Sequence, residues 1–312
     1  LIISRFFAGA FGGAGGAMLA LVAAGTPRPR IAFATGVIQS AMFVGATAGP
    51  VIGGILFDAY GMRIAFFANG IGLAVPALMI HLFVRERFQR PDTPLAGPME
   101  PFRDLLQAVR SRALWPLLII VFLVHSSMLV TFPALPVIVE AVAGPGNAAR
   151  AAGVVFMAMG LSQAISAIAM GSIATRVGMK RTFAILCIGA AALYVPPLFA
   201  DSTMQLALLL GAVGLFQGGL AGTVNGLVAM ASPPGREGAI FGAQQTVLAG
   251  AIAFGPLVGG AVAFAIDLRA PFVMNAALFF ATAIIATLLV REARPSAHRE
   301  ARKEADNPAP QA

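Results

Sequence analysis

The chain is poor in charge, above all in acid, and almost without cysteine. Of its 312 residues 11% are charged, 13 are Asp or Glu, three are His and one is Cys. A single cysteine excludes a disulfide framework and a cysteine-based metal cluster, and three scattered histidines argue against a zinc or iron site, so no metal or other cofactor is expected. Soluble domains carry about 25% charged residues; a chain with 11% does not make a soluble surface. The sequence opens on Leu1 rather than Met, with no charged segment, apolar stretch and cleavage site in the order a signal peptide requires, and is read as starting inside a longer protein.

What it has instead is apolar length. Hydrophobic residues make up 58%, to which 35 glycines are added. A helix crosses the hydrocarbon layer in about 20 apolar residues. Nine stretches qualify, at 1–24, 31–57, 64–84, 114–141, 151–173, 182–200, 204–231, 237–265 and 271–290, which predicts an all-α membrane protein embedded in the lipid bilayer. Alternate connections share a side, and all but four of the 21 basic residues fall on one of them. The exceptions are Arg63, Arg150 and Arg269 on the other side and Arg5 inside the first stretch. Cytoplasmic loops carry the excess of Lys and Arg. The net charge of +8 is therefore topology rather than a nucleic-acid footprint, with the C-terminus in the cytoplasm and Leu1 outside.

The chain divides into residues 1–84, a linker 85–113, a six-span unit 114–290 and a tail 291–312. In the linker Phe102, Leu105, Leu106 and Val109 recur at helical spacing among charges, which predicts a short amphipathic helix on the membrane surface. The tail, charged and without apolar periodicity, is expected to be disordered. Sliding the chain against itself gives a register at an offset of 206: Gln39 falls on Gln245, Gly49-Pro50 on Gly255-Pro256, Gly53-Gly54 on Gly259-Gly260, and Arg30, Arg63 and Asn69 on Arg236, Arg269 and Asn275. The first three spans thus repeat as the last three, in the same orientation, as in transporters built from parallel six-span repeats. The middle spans have no mates within the chain; their mates are expected upstream, which gives twelve spans with both termini inside.

The second span reads Gly36-x8-Gly45-x3-Gly49-Pro50-x2-Gly53-Gly54. Pro50 removes a backbone donor and is expected to bend the helix, while Gly45, Gly49 and Gly53 at four-residue spacing expose backbone for close packing. This pattern resembles the antiporter motif on the fifth helix of major facilitator superfamily exporters. Arg5-x3-Gly9 resembles the family's fourth-helix motif, and the run from Gly171 through Arg176, Gly178, Lys180 and Arg181 resembles its cytoplasmic gating loop, with Thr175 where the family has aspartate and Met179 where it has a basic residue. The resemblance implies helices four to twelve of a major facilitator fold, two parallel six-helix bundles with the first incomplete, working by alternating access. It also implies that the antiporter motif packs helices of opposite halves together and that Arg5 assists proton movement.

Polar groups inside spans are costly and mark function or interhelical bonds. Gln39, Gln163, Gln217, Asn225, Gln244 and Gln245 are the candidates for a substrate cavity. Arg5, His125 and Glu140 are the candidates for a proton pathway, with Pro133 and Pro136 breaking the helix between the last two. An apolar lining with amides and few charges fits a lipophilic or neutral small molecule, since an anion would call for paired Arg or Lys. Export of such a compound in exchange for protons, by a monomer in the cell membrane, is the first expectation; efflux of a sugar or another metabolite is the second. An intramembrane enzyme is remote, because Cys187 has no His nearby in sequence and almost every Asp and Glu lies in a loop.

Overall fold

The computed structural model describes residues 14–83, 114–144, 147–232 and 236–289. Within them the chain forms nine α-helices and no strand: α1 (Ala14–Gly25), α2 (Ile31–Phe83), α3 (Trp115–Val130), α4 (Leu135–Ala143), α5 (Ala148–Val177), α6 (Met179–Leu193), α7 (Thr203–Ala231), α8 (Glu237–Ala265) and α9 (Ala270–Leu289). Eight stretches are long and apolar enough to cross a membrane, among them Ile31–Gly49, Ala59–Phe83 and Trp115–Ala143, and they correspond to the second through ninth expected spans. The chain is a multi-pass membrane protein. Of the first span only the part from Ala14 onward is described; the linker helix and the tail lie outside the described residues.

The breaks have local causes. The helix Ile31–Phe83 is two spans joined at Gly61, whose φ of 80° and ψ of 172° reverse the chain where a side chain would be strained. The helical pattern runs on through Pro50. The span Trp115–Ala143 is interrupted at residues 131–134, where Pro133 cannot donate to the previous turn, and Pro136 starts the next helix within its first turn. Ser202 caps α7 by accepting from the Gln205 amide at 3.2 Å.

Two joints are shorter than expected: the six residues between the second and third expected spans reduce to Gly61, and a second joint follows the same pattern. The sequence places eight residues between the fifth and sixth spans, but α5 runs to Val177 and α6 starts at Met179, so the whole joint is Gly178 with φ 103°. The gating run is therefore helical except at one residue. Met179, the apolar replacement, explains this: it is buried, with its sulfur facing Gly226, and belongs to a small cluster with Ala32 and Ala174.

The buried aromatics Phe183, Tyr194, Phe241, Phe272 and Phe279 sit inside the bundle. Phe264, Leu257 and Phe199, at 97%, 72% and 69% exposure, face outward, as lipid contact requires. Ala59–Phe83 has none of its apolar window buried.

Candidate functional site

Helices α1 and α2 meet the C-terminal bundle along one seam: α2 against α5 and α7, α1 against α8. Near the end that carries Arg30, Arg176, Lys180 and Arg181, the seam has no room for side chains. A Cβ on Gly36 would run into the Ala167 carbonyl, one on Gly171 would lie 2.6 Å from the Ala32 carbonyl, and one on Gly222 would lie 3.2 Å from the Gly36 Cα. Three backbones thus touch at the basic end. Eleven residues along α2, about 16 Å of helix, the Thr47 side chain occupies the place a Cβ on Gly160 would take. Beyond that point, seven residues before Gly160 and on the same face of α5, Gly153 has nothing within 4 Å of where a Cβ would be. Around Gly45, Gly49 and Gly53 nothing lies within 4 Å of where a Cβ would be. Among the described glycines of the motif, Gly36 alone makes a close approach across the seam. Pro50 and Gly54 lie on α2, and of their side-chain positions nothing is described.

The amide candidates resolve into two networks and one outlier. Gln39, Asn225 and Gln244 form a directed chain across the seam: Gln244 Nε2 donates to Asn225 Oδ1 at 2.5 Å, and Asn225 Nδ2 donates to Gln39 Oε1 at 3.2 Å. All three are buried, and Gln244 Oε1 has no hydrogen-bond partner among the described residues. One helical turn from Gln39, the Thr35 hydroxyl lies 3.0 Å from the Gly222 carbonyl on α7 and 2.9 Å from the Ile31 carbonyl on its own helix.

The second network lies within the C-terminal bundle. Gln163 Nε2 donates to Gln217 Oε1 at 2.8 Å, and Gln217 Nε2 donates to the Tyr194 hydroxyl at 2.7 Å. Asn275 Nδ2 reaches Thr131 Oγ1 at 3.4 Å beside it, and the Tyr194 ring stacks on Phe279 at 5.7 Å. Sequence reasoning missed Tyr194, Thr131 and Thr35, and used Asn275 only as a repeat mate. Tyr194 had a signal: it is one of only two tyrosines, and it stands in an apolar run just ahead of Pro196-Pro197. Gln245, the outlier, packs its side chain against Gly15 and Gly16 at the α1–α8 contact, where a Cβ on either glycine would come within 2.8 Å of it.

Of the proton-pathway candidates, Arg5 lies outside the described residues. His125 is half-buried, with Nδ1 2.8 Å from the Val121 carbonyl. A carbonyl only accepts, so Nδ1 carries a hydrogen and Nε2 of the neutral ring keeps a lone pair for a donor. Glu140 is exposed at the far end of α4. The structure does not bring it together with His125 in any hydrogen bond among the described residues. In the gating run Gly171 is part of the tight seam, Gly178 is the turn, Arg176 and Arg181 are exposed, and Lys180 is half-buried.

A family model for the Major Facilitator Superfamily matches residues 1–148 and 141–311. Among curated proteins, the multidrug resistance protein MdtG of Dickeya zeae is 28% identical over 291 residues, 92% of this chain and 69% of that protein. The multi-drug resistance efflux pump PmrA homolog of Lactococcus lactis is 28% identical, over 81% of this chain and 62% of that protein. The chain thus spans about two thirds of the length of these relatives. Among solved structures, the human organic anion transporter MFSD10 (TETRAN) superposes with a TM-score of 0.76 at 21% identity, covering 92% of this chain and 70% of that one. At that identity the likeness concerns the fold.

Proposed function

This chain belongs to the Major Facilitator Superfamily, whose members are transporters rather than enzymes, and from that premise we propose that it forms the greater part of a secondary exporter that moves lipophilic or neutral small molecules out of the cell in exchange for protons. The observation that carries the proposal is the asymmetry of the seam. Backbones touch at Gly36, Gly171 and Gly222, while Gly153, five turns along α5 on the same face as Gly171, has nothing within 4 Å of where a Cβ would be. A pair of halves closed at one end and parted at the other is one of the two states that alternating access needs. Positively charged loops face the cytoplasm, so the closed end is the inner one, the C-terminus is inside and the cavity opens outward.

The repeat supports a twelve-span assembly. Gly255 and Gly259 seat backbone of α3: a Cβ on Gly255 would lie 2.6 Å from the Ser126 carbonyl, and one on Gly259 would run into that of Val130. Their mates Gly49 and Gly53 have the same spacing and nothing in the seat. A helix of the first half equivalent to α3, from the upstream spans, is the occupant that fits. The antiporter glycines would then pack within their own half, and only Gly36 across the seam. With both halves in one chain the working unit is a monomer. Relatives named for multidrug resistance favour a drug-like cargo, as does an amide-bearing seam with few charges. His125 Nε2, Arg5 and Glu140 remain the groups through which protons would be coupled.

Counterflow tests transport without presupposing an energy source. Liposomes containing the intact protein and preloaded with an unlabelled lipophilic dye should take up labelled dye transiently above its equilibrium level, and the dye should leave chemically unchanged. Uptake no greater than in protein-free liposomes would contradict the proposal.

A further inference from the structure

Two hydrogen bonds cross the seam at its closed end, Asn225 Nδ2 to Gln39 Oε1 and the Thr35 hydroxyl to the Gly222 carbonyl. Both would be lost if the halves parted there. In a site without water a stranded donor costs about 1–3 kcal/mol, so each such bond ordinarily acts as a lock. Here each donor has a second acceptor on its own side. Thr35 lies 2.9 Å from the Ile31 carbonyl of its own helix. Asn225 already accepts from Gln244 Nε2, and Gln244 Oε1, the other end of the same planar amide, is buried with no partner among the described residues.

We propose that Thr35, Gln39, Asn225 and Gln244 form a hand-over switch, in which parting of the halves transfers the Asn225 Nδ2 donor from Gln39 to Gln244 Oε1 and the Thr35 donor from Gly222 to Ile31. An Asn and a Gln side chain can exchange two parallel N–H···O bonds, each amide giving one donor and one acceptor. The terminal amide torsion of Gln244 is soft, so a rotation of that group brings its free oxygen to the vacated donor. The count of bonds within the C-terminal half then rises from one to two as the cross-seam bond is lost, and Gln39 turns to the opening cavity, where water satisfies it. The free oxygen of Gln244 is the acceptor kept for the other state. The clasp holds no charge, so its balance does not depend on salt. This inference rests on the alternating-access reading.

The test is a distance measurement in the intact protein, with spin labels on Arg30→Cys and Arg181→Cys, both exposed at the basic end on opposite sides of the seam, and buried Cys187 replaced by Ala. The parent should show a short and a long population. Gln39→Met removes a bond from the closed state alone and should raise the long-to-short ratio about threefold, the weight of one interhelical side-chain bond in a membrane at about 0.6 kcal/mol. Gln244→Met removes one bond from the closed state and two from the open, and should lower the ratio about threefold. Thr35→Val loses one bond in each state and should leave it unchanged. Folding is read independently from the intact short population in each variant. Two populations in the parent, with Gln39→Met and Gln244→Met shifting the ratio the same way or not at all, would overturn the hand-over. So would an opening shift in Thr35→Val equal to that of Gln39→Met. A single population in the parent under every substrate condition would overturn the alternating-access reading beneath it.

Discussion

Substituting Gly36 by alanine adds one methyl group at the tightest point of the seam. Its Cβ would run into the Ala167 carbonyl and lie 3.3 Å from the carbonyl carbon and 3.6 Å from the Gly171 Cα, all of them backbone. Neither neighbour can swing away as the end of a side chain could. Gly171 itself is pressed against Ala32, one turn below on the same helix as Gly36, so relief requires α2 and α5 to separate. Overpacking of this kind costs about 1–3 kcal/mol, and the cost falls only on the state closed at the basic end. The closed-to-open ratio should therefore fall by about 5- to 150-fold, since each ~1.4 kcal/mol is tenfold in an equilibrium. Labelling of a cysteine at Gln39 by a membrane-impermeant maleimide reads this directly: in the parent background it should react slowly from the basic side, and with Gly36→Ala rapidly. Gly45→Ala is the control, with nothing within 4 Å of its new methyl. If the Gly36→Ala background labels at the control's rate and still transports normally, the contact at Gly36 is not a gate.

Other residues give independent checks. Gly49→Leu in the intact protein should abolish counterflow while leaving membrane insertion unchanged, because the upstream helix would find its seat filled; normal counterflow would remove that packing. Arg269 donates to the carbonyls of Leu198 and Ala200, at 3.0 Å to the latter, and so closes the connection between α6 and α7. Arg269→Ala should lower stability by about 1.5 kcal/mol, the low end for a bond to a charged group, read as a lower melting temperature in detergent with substrate affinity unchanged. Tyr194→Phe leaves the Gln217 amide without its acceptor and should destabilise by about 1–3 kcal/mol in the same assay. Arg5→Ala should bind substrate but lose accumulation driven by a pH gradient, and Arg5→Lys should keep part of it; wild-type accumulation in Arg5→Ala would move proton coupling to His125 or Glu140.

The spans were legible because the hydrocarbon layer imposes its length on the sequence: the expected 204–231, 237–265 and 271–290 differ from α7, α8 and α9 by no more than a residue at either end. The turn between α5 and α6 was not, because a run of Arg176, Lys180 and Arg181 reads as a loop whether or not the helix continues beneath it. Burial of Met179 against Gly226 is a tertiary fact, the two being 47 positions apart. The polar groups were legible as a set, since each is an exception within an apolar run, but their partners were not. Gln39 and Asn225 are 186 positions apart, and periodicity says nothing about which exception meets which. Gln245 has the same composition and spacing as Gln244, its neighbour, yet faces α1 across a different contact. The glycine motif shows the same limit. Its spacing announces that backbones approach, and the repeat mates Gly255 and Gly259 do seat the backbone of α3, whereas among the described glycines of the motif only Gly36 meets another helix.

The most direct test of the account is accumulation driven by protons. In everted membrane vesicles carrying the intact protein, an imposed gradient that is acid inside should drive a lipophilic dye inward above its external concentration, and collapsing the gradient should release it. Dye uptake that is indifferent to the gradient, and equal to that of vesicles without the protein, would contradict the claim that this chain belongs to a proton-coupled exporter.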